Sequence, residues 1–449
     1  MKKIAFVLKN SIRLLLGLVL VCFLAACKRE AYSPQNPVTL TLWHVFGEQA
    51  DSPMNRLVEE FNETQGRKKG IIINVTLMSS SVKIGKELLR AKAGSPGAQS
   101  MPDLFTCYPD IARELGADQL INWEEYFSQE EREEFVPEFI QEGRLEDKLI
   151  VFPICKSTRT IFMNGSLFSR FSKATGVTCE DLATWKGFYE TAGRFYEWSG
   201  GKAFCAFDYP MRNMEMAALE DGAGELFDEQ SGWFHMENPV FQRDWKQFLN
   251  ALVQGHVVVS DLYSNTQVMT GETAAGIGST AAILYFNDTV TYPDNTSEPM
   301  NLMVLPIPSD AGEGNRIITL SGVGLCGLKS GGAKDQAAAE FVHWLTQKKR
   351  NLDFCVEAGY MPVYQDAFRG MDRYIYPDEA RKSLYGAIQS MKQNAKMIPE
   401  HTNPGYSAHV IRVHDALRSH QKDYAARYQA GESKEALVGE CWEMIEGIQ

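Results

Sequence analysis

Trp43 and His44 close the segment VTLTLWH, whose alternating apolar residues predict a β-strand over Val38 to Trp43. An indole at the carboxyl end of a parallel strand can stack on the apolar face of a sugar or glycerol chain, with the imidazole as a hydrogen-bonding neighbour. The alternative is a ring packed between strand and helix. Tyr108-Pro109-Asp110 follows another strand end, where a carboxylate either accepts hydrogen bonds from two hydroxyls or caps the helix that starts next. Gly278-Ser279 opens the stretch STAAILYF, read as a helix whose free N–H groups would suit a phosphate, sulfate or sugar oxygen, with capping as the alternative. Arg412 has Val410, Ile411 and Val413 around it. Directed into a cleft it would grip a phosphate through two N–H bonds, whereas the default for a helical arginine is a solvated or salt-bridged side chain. Tyr209 and Trp233 are further aromatic candidates on loops.

The elements that must hold these residues alternate strand and helix. After the first strand, Met54, Leu57, Val58 and Phe61 recur at helical spacing over about 51 to 64, and IIINVTL (Ile71 to Leu77) reads as a buried strand. A helix near 83 to 93 and a strand over Asp103 to Cys107 continue the pattern, which is that of an α/β fold with mostly parallel, helix-covered sheets. A strand at Arg159 to Met163 leads into a helix-rich middle, 165 to 255, broken by glycines. Strands return at Asn301 to Leu305 and Arg316 to Leu328, and helices close the chain at Lys334 to Gln347 and near 378 to 392, 406 to 421 and 433 to 447. The run Gly322-Val323-Gly324-Leu325-Cys326-Gly327 fits a dinucleotide fingerprint but lacks the helix that must open on its glycines, so that function is rejected.

With 449 residues, 44% of them hydrophobic, the chain can bury real cores and is long enough for two lobes. Its 57 acidic against 45 basic residues give a net charge of −12 and exclude the basic footprint of a nucleic-acid binder. Lys2, Lys3, Lys9 and Arg13 precede the apolar run Leu14 to Ala26, too short for a membrane span and read as a secretory signal. Leu24-Ala25-Ala26-Cys27 resembles the bacterial lipobox, with Cys27 acylated and a polar tether to residue 37. Cys107, Cys155, Cys179, Cys205, Cys326, Cys355 and Cys441 remain in the body, none at C-x-x-C spacing, so no metal site or cofactor is expected. Most read as small buried apolar residues, with one or two disulfides open. No G-x-S-x-G, H-E-x-x-H or Walker A motif supports an enzyme, and the alternative of an extracellular glycoside hydrolase or other carbohydrate-active surface lipoprotein has no motif of its own.

The lipobox-like end, the opening LTLWHVFGE with its helix ending EEFNE, PDLF at Pro102 to Phe105, IFMNGSLFSRF at Ile161 to Phe171, ATWKGF at Ala183 to Phe188, and EFVHWLT with AGYMPVYQDAF near 340 to 368 together resemble family 1 extracellular solute-binding proteins of bacterial ABC importers. The chain departs at Met163, where that family usually has tyrosine. Within the family it is similar to binding proteins for glycerol 3-phosphate at Trp43-His44, Lys156-Ser157-Thr158, Gly278-Ser279 and Ile411-Arg412-Val413, with Lys156 in place of a serine and AFDYPMRN in place of a tryptophan-rich loop.

The resemblance implies a two-lobed, periplasmic-binding-protein-like fold with a ligand cleft between lobes. Lobe 1 would comprise 36–154 plus 323–361, and lobe 2 155–322 plus 362–449, after a signal at 1–26 and a tether at 27–37. It implies a non-enzymatic monomer, held to the membrane only by its lipid and facing the periplasm or the outside, that passes a polyhydroxylated solute to permease subunits. The solute-binding set is then Trp43, His44, Tyr108, Asp110, Ser157, Thr158, Tyr209, Trp233, Gly278, Ser279 and Arg412. A phosphorylated glycerol and a neutral sugar or oligosaccharide both remain open as the solute.

Overall fold

The computed structural model describes residues 32–46, 52–78, 80–261, 263–311, 315–393 and 395–448. The expected signal, Cys27 and the first part of the tether lie outside the described residues.

Two sheets organise the chain. The first has the strand order Gly324–Gly327, Leu104–Cys107, Val38–His44, Ile71–Leu77, parallel throughout except for the returning strand Gly324–Gly327. Strand periodicity sends Leu40 and Leu42 to one face, against Met54, Val58, Phe61 and Phe341, and Trp43 to the other, against Ile84, Leu88 and Phe105. Helices Pro53–Phe61 and Ala333–Leu345 cover the first of these faces, and helices Ser81–Lys92 and Pro109–Leu115 the second.

The second sheet has the order Val257–Val259, Cys205–Phe207, Ala275–Ser279, Arg159–Met163, Met303–Pro306. Its first three strands are parallel, and Arg159–Met163 runs antiparallel to both neighbours. Helices Pro210–Glu220, Pro239–Val253, Glu379–Lys392, Pro404–Gln429 and Lys434–Glu446 pack around this second half. The α/β class expected from the pattern is present, but the sheets are mixed rather than mostly parallel: two of the four strand pairings in the second are antiparallel.

The chain passes between the sheets twice and then crosses back to the second half as helices, and the passages are laced together. Ser157 pairs with Ser321 through N–H···O bonds of 2.7 and 2.9 Å, and Lys156 pairs with Met361 through bonds of 3.3 and 2.6 Å. Beside them Ile317–Thr319 and Lys396–Ile398 form a two-stranded parallel ribbon. The single strand expected over Arg316 to Leu328 is thus two strands, Ile317–Thr319 and Gly324–Gly327, because the chain changes sheets in between, with Gly322 at φ 101°. STAAILYF is also corrected. Ala275–Ser279 is a sheet strand, and the turn after it is a short 3₁₀ segment, Thr280–Tyr285, capped by the Ser279 hydroxyl accepting from the Ala281 N–H.

Candidate functional site

The helix Pro109–Leu115 starts where strand Leu104–Cys107 ends, and it carries Asp110 and Arg113 toward the second half. Pro109 at its first turn accepts the fixed φ without losing a helical bond, so Asp110 is locked into the first turn. Asp110 is buried, and burial raises its carboxyl pKa. The Ile111 N–H donates to it at 2.7 Å, and Ser407 of helix Pro404–Gln429 and Glu400 lie nearby. One turn later Arg113 pairs with Glu229 across 3.9 Å. Both contacts join the first half to elements packed on the second.

Glu229 belongs to the hairpin of Phe227–Asp228 and Trp233–Phe234. Its carboxylate accepts from the Thr402 and Asn403 N–H groups at 3.1 and 3.0 Å and from the Thr402 hydroxyl at 3.1 Å. His401 lies between two carboxylates, with Nδ1 2.8 Å from Glu229 and Nε2 3.0 Å from Glu215. Burial alone would lower its pKa, but the hydrogen bonds to Glu215 and Glu229 outweigh burial and raise it to about 9. His401 is therefore a cation at neutral pH and donates from both nitrogens. The Tyr406 hydroxyl donates to the other Glu215 oxygen at 2.5 Å.

Arg212, on helix Pro210–Glu220, closes the group. It pairs with Glu400 at 2.5 Å, donates to the Ser321 hydroxyl at 3.3 Å and stands 5.3 Å from the Tyr406 ring. Burial opposes its charge most strongly, yet Glu400 together with Tyr406 and Tyr108 holds the guanidinium above its ordinary pKa. Glu400 also donates its N–H to Glu142 at 3.2 Å, and Glu142 pairs with the buried Lys156 at 2.6 Å. Lys156 in turn donates to the Gly322 carbonyl at 3.1 Å. A small cavity opens beside Arg212, Glu215, Glu400, His401 and Tyr406. The seam thus offers aromatic faces, carboxylate acceptors and cations, each cation already matched by a carboxylate. It can hold hydroxyl groups by hydrogen bonding and sugar-like faces by stacking.

Of the residues expected from sequence, Tyr108 and Asp110 lie at this seam, with Tyr108 close enough to Arg212 to influence its charge. Ser157 reaches it through its strand partner Ser321, and Thr158 is buried beside Thr280, its N–H 3.4 Å from that hydroxyl. Tyr209 caps helix Pro210–Glu220 at φ 47°, its N–H donating to His414 Nδ1 at 3.3 Å and its ring 4.8 Å from that imidazole. Trp233 stands exposed at the hairpin edge.

Others take the structural alternative. Trp43 is buried in an apolar cluster because it faces the helix layer rather than the strand end. His44 is fully buried, with Nε2 2.9 Å from Asn55 and Nδ1 accepting the Phe46 N–H at 3.1 Å, and burial lowers its pKa to about 4. Gly278 packs so closely on Asp208 that a Cβ would lie 2.6 Å from the carboxylate, and Ser279 spends its hydroxyl as a cap. Arg412 is exposed. Val410, Val413 and His414 supply the buried face of that helix, which turns the arginine outward. Arg212, Glu215, Glu229, Glu400, His401 and Tyr406 were not singled out from sequence, although AFDYPMRN, which contains Arg212, stood out as a departure from its relatives' loop.

Among the described residues no group of His, Cys, Asp and Glu is arranged to hold a metal ion, and no helix is long and apolar enough to cross a membrane. A family model described as "Bacterial extracellular solute-binding protein" matches residues 56–375. No curated protein matches the sequence. Among solved structures, UgpB from Mycobacterium tuberculosis in complex with glycerophosphocholine is similar at TM-score 0.67 and 14% identity, covering 92% of this chain and 98% of that one. The cyclic α-maltosyl-1,6-maltose binding protein from Arthrobacter globiformis gives 0.64 and 14%, with 92% and 99% covered. The sugar-binding protein MalE from Xanthomonas citri gives 0.63 and 17%, with 92% and 97% covered. At these identities the likeness is one of fold, the two-lobed binding-protein architecture.

Proposed function

Because the chain belongs to the bacterial extracellular solute-binding proteins, we propose that it captures a neutral, carbohydrate-type solute between its two halves and delivers it to an ABC permease. The observation that carries this is the seam where Asp110 meets Ser407, Arg113 meets Glu229 and Glu142 meets Glu400. A solute bound there touches both halves, so it favours the closed arrangement over an open one, and only that difference in affinity shifts the population. The permease then reads the closed shape. The halves are taken as 36–154 with 323–361 and 155–322 with 362–449, in a monomer that performs no chemistry on its solute.

Pairing within the seam supports a neutral solute over a phosphorylated one. Arg113, Arg212, His401 and Lys156 each already face a carboxylate, so a phosphate would have to displace one. Arg412 is exposed, and the Ser279 turn is capped from within. Glu229 already accepts four hydrogen bonds, whereas Asp110 and Glu215 keep acceptor capacity that suits the hydroxyl donors of a sugar. Two of the similar structures are described as binding proteins for sugars, and the third holds glycerophosphocholine. Acylation of Cys27 would keep the body at the outer membrane surface. Calorimetric titration against maltooligosaccharides and glycerol 3-phosphate tests the reading. Heat from the neutral sugars supports it, and binding of glycerol 3-phosphate alone overturns it.

A further inference from the structure

The fold brings the thiols of Cys107 and Cys326 into contact, Sγ to Sγ 3.6 Å, on adjacent antiparallel strands. The register sets Cys107 opposite Gly324 and Cys326 opposite Phe105, so the two thiols share a face one diagonal step apart. Gly324 presents no side chain to Cys107, which leaves that thiol room to turn along the strand toward Cys326. The glycine is itself required there, since a Cβ would stand 2.5 Å from Val151 Cγ1 and 2.9 Å from the Phe152 carbonyl.

We propose that Cys107 and Cys326 are a disulfide site that staples the returning strand Gly324–Gly327 to Leu104–Cys107. Each thiol gives up one proton and one electron as the S–S bond forms, and a disulfide oxidant RSSR takes up both pairs to become two RSH. Both thiols are buried, so the oxidant reaches them while the returning strand is undocked, during folding or local opening. The secretory leader expected from the sequence would carry the chain to a compartment where such bonds persist. Cys107 immediately precedes Tyr108-Pro109-Asp110, and Cys326 follows the passage at Leu320 to Val323. The staple therefore fixes the root of the Asp110 helix while staying within one half, and it leaves closure free.

The full chain is unfolded under reducing conditions, refolded in oxidised glutathione, denatured with N-ethylmaleimide, digested without reduction and mapped by mass spectrometry. The expected result is a disulfide-linked peptide pair containing Cys107 and Cys326, loss of both alkyl adducts, and a rise in the unfolding midpoint that dithiothreitol reverses. Cys326→Ser should keep the adduct on Cys107 and lose the dithiothreitol-sensitive rise. Alkylation of both cysteines after oxidant, or linkage of either one to Cys155 or Cys355, overturns the proposal. The wild-type peptide map decides the matter by itself should the variant fail to fold.

Discussion

Two arginines, Arg212 and Arg412, differ in what surrounds them more than in chemistry. Arg212 neutralises the buried Glu400, so Arg212→Ala leaves that carboxylate without its counter-charge. The expected loss is about 3 to 5 kcal/mol of stability in urea denaturation, together with solute affinity. Arg412→Ala removes an exposed side chain and should change stability by less than about 0.5 kcal/mol and leave the titration isotherm unaltered. His401 gives a pH test. Its folded pKa of about 9 lies above its ordinary 6.5, so its contribution is complete below about 6.5 and disappears as pH rises through 9. Melting curves between pH 6.5 and 10 should fall in the wild type, and His401→Gln should flatten that descent. At this scale the sequence was half legible. That Asp110 follows a strand end is a local property and so readable, whereas the partners that set the surroundings of Arg212 and His401, Glu400 and Glu229 respectively, are remote from them in the chain.

At the level of elements, the passage built on Lys156 depends on a fully buried ion pair. Removing one charge, as in Lys156→Met or Glu142→Leu, strands the other and should cost about 3 to 5 kcal/mol, while the double substitution should recover most of that loss. Chemical denaturation of the three variants checks it, and additive losses would refute it. The elements themselves were partly readable. Ile71–Leu77 and Arg159–Met163 match the expected strands residue for residue, because each is bounded by a turn signal, Gly70 before the first and Asn164-Gly165 after the second. Cys205–Phe207, Val257–Val259 and Ala275–Ser279, the core of the second sheet, are three to five residues long and lie in a helix-rich stretch, so no strand period develops in them. The split of Arg316 to Leu328 was equally hidden, since an apolar run does not show which sheet each part joins.

For the whole molecule, the relevant quantity is the balance between open and closed arrangements. Solute should shrink the radius of gyration in small-angle scattering, and an unchanged value at saturation would count against closure. Arg113→Glu sets two like charges face to face across the seam. Both side chains are substantially exposed, so affinity should weaken by no more than about fivefold, and less in high salt. The return of the chain to its first sheet has a further consequence, for the order of events in folding. Cys107 waits for a strand whose cysteine lies 219 residues further along. A chain emerging from its N-terminus must therefore hold the Leu104–Cys107 edge open while every strand of the second sheet is made. High contact order of this kind slows folding and leaves an unpaired strand edge exposed to other chains, so a holding chaperone would act during that interval.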